Sequence, residues 1–164
     1  DILHPRAIEK LLPMMEKNTV CAYGSFIRIN PDGEKIDDGW DWPYYTHHRL
    51  LKSMIVHHPR LFRRKAWEEV GGFDEDLTNA VDYDFFLKLG EIGGMEHISE
   101  KLYSYRIHES STSQEKRAIQ TDNTLVVQRK ALERMGLVDF ANYAPNPDFP
   151  RRIQYRYRAF SNRL

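Results

Sequence analysis

Two Gly-Gly pairs, at 71–72 and 93–94, place the strongest constraint on how this chain folds. Each pair follows an apolar segment with helical spacing, the first starting at about Lys65 and the second covering 81–92. Glycine ends a helix readily because it adopts the positive φ that other residues resist. The two pairs therefore predict two separate helices, each with a defined end.

Segments typical of strands surround these helices. β-branched and aromatic side chains, bounded by turn residues, predict strands at about 19–30, 59–62, 95–99 and 101–108. Amphipathic spacing predicts further helices at 4–17, 46–58 and 114–135. Helices and strands mix along the chain, so the expected class is α/β or α+β.

The composition excludes several functional classes. The 164 residues are enough for one domain with a sizeable core. The 24 basic and 24 acidic residues cancel, so no global field attracts nucleic acid, and we expect no nucleic-acid partner. The single cysteine, Cys21, rules out an internal disulfide and hence a disulfide-stapled secreted domain. The sequence shows no recognisable signal peptide and no apolar run of membrane-spanning length. We expect a cytoplasmic location.

Asp82 and Asp84 open the second predicted helix and are the first candidates for chemistry. Residues two apart on a helix point in different directions, so the pair cannot form a close carboxylate dyad. One carboxylate can cap the helix, which stabilises it by roughly 0.5–2 kcal/mol. The other can face a cleft as a general base. Spacing alone favours capping, because acidic residues are common at helix starts.

Histidines and tryptophans form the next group of candidates. His57 and His58 are adjacent on an extended segment, so at most one is expected to face a given pocket. His108 lies between a strand and a hydroxyl-rich loop, which suits a metal or phosphate ligand but equally a hydrogen-bonded surface histidine. Trp40 and Trp42 either pack over the core or stack on a sugar ring, and packing is the favoured interpretation.

Three segments carry a family resemblance: FRRKAWEEVGGFDE, NAVDYDFFLKLGEIG and LYSYRIHESSTS. In this order they resemble the second half of a family 2 glycosyltransferase of the GT-A fold. The motifs NPDG, WP and MIVHH make the chain similar, in particular, to the glucuronic-acid-transferring domain of the bacterial chondroitin and hyaluronan polymerases. The resemblance implies that residues 1–135 are the acceptor-side, C-terminal portion of a nucleotide-diphospho-sugar transferase, with a mixed sheet and flanking helices. Residues 136–164 would be an extension of unknown role.

The resemblance also implies a reaction and a set of catalytic residues. A sugar would move with inversion from a UDP-sugar donor to a glycan acceptor, and Asp82 occupies the family's general-base position. This context reverses the preference for capping at Asp82. His108 matches a late histidine that binds Mn²⁺ or Mg²⁺, and Asp1 would be at most the trailing aspartate of the metal-binding Asp-x-Asp motif.

Substrate contacts follow from the same resemblance. His58 would line the donor-sugar pocket, and Asp84 would orient the acceptor or cap the helix. Ser111 and Ser113 belong to a loop that would close over the donor and exclude water. For His57 and the two tryptophans, packing stays the favoured interpretation.

The chain departs from the family pattern in two respects. The family's acidic pair appears as Val81-Asp82, so only the aspartate is kept. The Asp-x-Asp strand and the nucleotide-binding half would lie upstream of Asp1, so the resemblance implies that these residues alone are inactive.

Other functions and a role for the tail are also open. The rival functions are a non-catalytic carbohydrate-binding or scaffolding module and, ranked last, a metal-dependent hydrolase. The Arg- and Tyr-rich tail is interpreted as solvated surface, with peripheral association at the inner face of the membrane as the alternative.

Overall fold

A five-stranded mixed sheet forms the centre of the structure. The structure is a computed structural model that describes residues 1–108, 117–137, 141–145 and 153–155. The strands of this sheet are β1 (Ile2–Leu3), β2 (Thr19–Ile29), β3 (Lys35–Asp38), β4 (Arg60–Phe62) and β5 (Gly94–Arg106). A separate antiparallel pair joins β6 (Ala141–Pro145) to β7 (Ile153–Tyr155).

Strand β2 is the central strand of the larger sheet. One of its edges pairs in parallel with β5. Its other edge pairs antiparallel with β4 in the first half and with β3 in the second half. On the far side of β5, β1 pairs antiparallel, with Ile2 opposite Ser104. The first residues of the chain therefore lie beside the C-terminal end of β5.

Helices cover both faces of the sheet. The helices are α1 (Ala7–Leu11), followed by a 3₁₀ turn (Leu12–Met14), then α2 (His47–Lys52), α3 (Arg64–Glu69), α4 (Val81–Ile92) and α5 (Arg117–Arg134). Side chains alternate along β2. Cys21 and Tyr23 enter the core with α2, α4 and α5, whereas Ala22 packs against α1. The mixed class expected from the sequence is confirmed.

Two predicted elements differ from those in the structure. The helix predicted at 46–58 ends at Lys52, and Ser53 is already extended, with φ −163° and ψ 145°. The residues that follow bring Ile55 and Val56 into the core before β4 begins, so burial decides their path. The two strands predicted at 95–99 and 101–108 are one strand, because β5 pairs with β2 over almost its whole length.

Among the described residues, none of the helices combines the length and the apolar character needed to cross a membrane. The predicted boundary between residues 1–135 and 136–164 stays a prediction.

Candidate functional site

An open pocket of about 360 Å³ lies where β3 and the loop after it face the second half of β2 and of β5. Its volume falls in the range of roughly 300–1,000 Å³ that is typical of small-molecule sites. Aromatic rings and histidines dominate the lining, together with one cation and one carboxylate: Phe26, Arg28, Asp38, Gly39, Trp40, His57, His58, Tyr103 and Tyr105.

His58 lies in this pocket, stacked on Tyr103 with the ring centroids 5.0 Å apart and the planes inclined by 22°. Burial lowers the pKa of His58 to about 4, with Arg60 acting in the same direction and the Asp82 carboxylate opposing both. The imidazole is therefore neutral at neutral pH and offers one hydrogen-bond donor and one acceptor. Its predicted contact with the donor sugar stays a prediction.

His57 lines the same pocket, so the expectation that at most one of the two histidines would face it is wrong. The pocket extends to both sides of the extended segment. His57 contacts Phe26 and Trp40, with centroid distances of 5.2 Å and 4.8 Å, while His58 contacts Tyr103. We call the part of the pocket around His57 the Trp40 side and the part around His58 the Tyr103 side.

Asp82 is not among the residues that line the pocket, but its carboxylate is near enough to His58 to oppose the lowering of that residue's pKa by burial, and Arg60 holds it. Nη1 of Arg60 donates to Oδ2 of Asp82 at 2.9 Å. The Asp82 side chain is 50% exposed, whereas that of Arg60 is 11% exposed. The guanidinium also donates to the carbonyl oxygen of Val56 at 2.7 Å and lies 4.7 Å above the ring of Phe86. Asp82 is therefore accessible from solvent and fixed by a buried cation.

Neither acidic residue caps α4. The N-cap is Ala80, in a left-handed conformation with φ 59°, and no side chain caps the helix. The capping interpretation of Asp82 and Asp84 is therefore wrong. Both carboxylates instead pair with side chains from other parts of the fold or from the next helical turn.

Asp84 lies in the interior, away from the residues that line the pocket. Its side chain is 2% exposed and pairs with Nζ of Lys88 at 3.0 Å and with Nη1 of Arg134 at 3.6 Å. The contact with Arg134 connects α4 to α5. The observed partners of Asp84 are thus basic side chains of the protein, whereas the sequence predicts a contact with the acceptor. That contact stays a prediction.

The two residues predicted as metal ligands, Asp1 and His108, lie at the same end of the sheet. Oδ1 of Asp1 accepts from the backbone N–H of Arg106 at 2.7 Å, and Oδ2 accepts from the hydroxyl of Tyr103 at 3.2 Å. His108 follows two residues after Arg106 and is exposed.

One carboxylate and one imidazole suit a divalent ion that takes further ligands from a diphosphate. Within the described ranges, no three potential ligands cluster as a metal site. The metal stays a prediction, and Ser111 and Ser113 lie outside the described residues.

A second polar cluster was not predicted from the sequence. The hydroxyl of Ser25 donates to Oδ2 of Asp41 and lies 3.1 Å from Nε2 of His97. Nζ of Lys101 lies 3.3 Å from the same carboxylate oxygen.

The cluster lacks the geometry of a serine hydrolase, in which the carboxylate orients the histidine. Here Asp41 and His97 both contact the serine hydroxyl, and Nε2 of His97 lies 4.0 Å from Oδ2 of Asp41. The one feature of the sequence that could have indicated this cluster is the position of Asp41 between Trp40 and Trp42.

Arg60 and Tyr103, which contact the candidate residues Asp82 and His58, were not predicted from the sequence either. Neither belongs to a motif with a recognisable spacing, and their roles depend on what lies opposite them in the fold.

Comparison with known proteins identifies several relatives. The chain is 38% identical to the hyaluronan synthase of Pasteurella multocida, over 94% of this chain and 16% of that protein. It is 35% identical to the chondroitin synthase of Escherichia coli, over 100% of this chain and 24% of that protein. It is 37% identical to the chondroitin synthase of Pasteurella multocida strain Pm70, over 87% of this chain and 15% of that protein. The chain thus spans less than a quarter of the length of each of these relatives. No protein-family model matches the chain.

Proposed function

Because this chain belongs to the family 2 glycosyltransferases related to the chondroitin and hyaluronan polymerases, we propose that it is the acceptor-side half of an enzyme that transfers a sugar from a UDP-sugar to a glycan. Its mixed sheet with flanking helices is that of a GT-A-like domain. The observation that carries the proposal is the Asp82 carboxylate, which is half exposed, is held by a buried arginine and interacts electrostatically with His58 of the pocket.

Asp82 is proposed as the general base of an inverting transfer. The acceptor hydroxyl gives its proton to the carboxylate while its oxygen bonds to the anomeric carbon of the donor. The bond from that carbon to the diphosphate breaks on the opposite face, and UDP leaves with the electron pair. A positioned carboxylate within hydrogen-bond reach contributes about 10²–10⁴-fold to such a step. Because Arg60 engages Oδ2, Oδ1 is the oxygen proposed to accept the proton.

The Tyr103 side of the pocket is proposed to take the donor. The neutral imidazole of His58 offers a donor and an acceptor to the sugar, and the Tyr103 ring keeps its orientation. Asp1 and His108 would hold Mn²⁺ or Mg²⁺, and a bound divalent ion stabilises the negative charge of a departing diphosphate. Ser111 and Ser113 are proposed to close over the donor.

The test replaces Asp82 with asparagine in the complete natural protein. Transfer from a panel of UDP-sugars to oligosaccharide acceptors should fall by at least about 100-fold. UDP binding and the circular dichroism spectrum should stay unchanged.

Asp74→Asn is the matched control, since this carboxylate also pairs with a basic side chain, Nζ of Lys130 at 2.9 Å, and has no proposed role in transfer. Transfer by Asp82→Asn at the rate of Asp74→Asn would eliminate Asp82 as the base.

A further inference from the structure

Trp40 and Trp42 have different environments although only one residue separates them. Trp42 packs against the core, with the guanidinium of Arg49 4.6 Å above its ring. Trp40 lines the pocket and is 51% exposed. Its neighbours Trp42 and His57 make edge-type contacts with it, with planes inclined by 87° and 80°. These contacts hold the indole in place and leave about half of its surface open.

We propose that Trp40 is the platform on which a pyranose ring of the glycan acceptor stacks, and that Asp41 positions it. This inference rests on the proposed function and identifies the acceptor subsite within it. A pyranose ring has an apolar C–H face and a rim of hydroxyl groups. An open aromatic face with hydrogen-bonding groups around it matches both features, as ligand pockets generally combine apolar walls with a few polar groups.

The position of Trp40 favours the acceptor over the donor. His58 and Tyr103 form the side of the pocket proposed for the donor, and Trp40 contacts His57 on the other side. Arg28 and Asp38 line the same pocket and offer charged groups to sugar hydroxyls. An acceptor stacked on Trp40 would share a continuous pocket with the donor, as transfer between the two requires.

The residues on both sides of Trp40 fix its loop to the sheet. Gly39 donates its N–H to the carbonyl oxygen of Phe26 at 3.0 Å. A Cβ on Gly39 would lie 2.3 Å from the Phe26 ring, so only glycine permits this approach. On the other side, Asp41 accepts from the fully buried Ser25 and pairs with Lys101. Because the loop is held before a ligand arrives, little ordering is needed on binding, and preorganisation of this kind raises affinity.

The experiment measures the acceptor KM in the complete natural protein, with oligosaccharides of hyaluronan and of chondroitin as acceptors and saturating UDP-sugar. Trp40→Ala should raise the acceptor KM about tenfold, and Trp40→Phe, which keeps a ring, should recover most of the loss. Hydrolysis of the UDP-sugar without acceptor reports on the donor side and should stay unchanged. Trp67→Ala removes a tryptophan that is 37% exposed and does not line the pocket, so it should leave KM unchanged.

Two results would overturn the platform: an acceptor KM in Trp40→Ala equal to that of Trp67→Ala, or a loss of acceptor-free hydrolysis as large as the loss of transfer. The positioning role has its own test. Asp41→Asn keeps the indole, and a raised acceptor KM with unchanged kcat supports that role, whereas a wild-type KM refutes it.

Direct binding separates this inference from the proposed function. If the wild-type protein transfers no sugar from any donor, the proposed function fails, but the platform is still tested by titrating the same oligosaccharides calorimetrically. Binding that Trp40→Ala loses and Trp67→Ala keeps supports the platform. Binding that survives in Trp40→Ala, or that is missing from the wild type, contradicts it.

Discussion

The two members of the Arg60–Asp82 ion pair should differ sharply in what their loss does to stability. Arg60 is the buried partner, and it satisfies the carbonyl of Val56, a residue that is 0% exposed. Asp82 is the half-exposed partner. Replacing Arg60 with methionine keeps the apolar stem but leaves that carbonyl and the carboxylate without the guanidinium. Replacing Asp82 with asparagine keeps an oxygen acceptor opposite Arg60.

The magnitudes follow from burial. An unsatisfied buried carbonyl costs about 1–3 kcal/mol. Loss of the ion pair adds up to about 1 kcal/mol, the value for exposed pairs, because water can solvate the Asp82 carboxylate. Arg60→Met should therefore lower the free energy of unfolding by about 1–4 kcal/mol. Asp82→Asn should lower it by less than about 1 kcal/mol, so this variant tests catalysis without unfolding the protein.

Urea titration followed by tryptophan fluorescence and by circular dichroism measures both values, and the double variant gives the coupling between the two residues. A loss for Asp82→Asn as large as that for Arg60→Met would refute the reasoning. It would mean that Asp82 is a structural partner of the arginine, and the loss of transfer in that variant would no longer identify a base.

Stability should also respond to pH and to two other substitutions. Burial lowers the pKa of both His57 and His58 to about 4, so between that value and about 6.5 the unfolded chain binds more protons than the native one. The stability that depends on these neutral imidazoles should be fully present above about pH 6.5 and lost as the pH falls toward 4, and urea midpoints independent of pH would contradict this. Gly90→Ala should destabilise the protein by about 1–3 kcal/mol although alanine favours helices, because the added methyl would lie 2.3 Å from Nδ1 of His47. Ser25→Ala should cost about 1–3 kcal/mol in the same titration, because the carboxylate and imidazole that meet at its hydroxyl lose that partner. A wild-type urea midpoint for either variant would show that its site relaxes without cost.

Much of the secondary structure was predictable because its causes are local. The apolar spacing and the Gly-Gly pair after it predict the helix at 81–92, and the structure has α4 at Val81–Ile92. The β-branched and aromatic run predicts the strand at 19–30, which is observed as Thr19–Ile29. The helix predicted at 46–58 was wrong in its second half. There the burial of Ile55 and Val56 outweighs the local preference for a helix.

The chemistry of the site was predictable only in part. Sequence similarity identifies the family, and residue types identify Asp82, His58 and His108 as groups able to carry its chemistry. Spacing along a chain gives distances between side chains only within a strand or a few helical turns. It could not predict that Arg60 would hold Asp82, 22 positions away, or that Tyr103 would reach Asp1 across 102 positions.

The sequence by itself determined the class of fold, the family and the chemical groups available. Only the tertiary structure decided that the Asp82 carboxylate is half exposed and paired with Arg60, whereas the Asp84 carboxylate is buried and paired with Lys88, because the two residues share a helix turn but meet different partners. It also decided that one tryptophan packs and the other stays open. The physical reason is the same in each case: a side chain's exposure depends on what the rest of the chain places against it, and the local sequence carries little of that information.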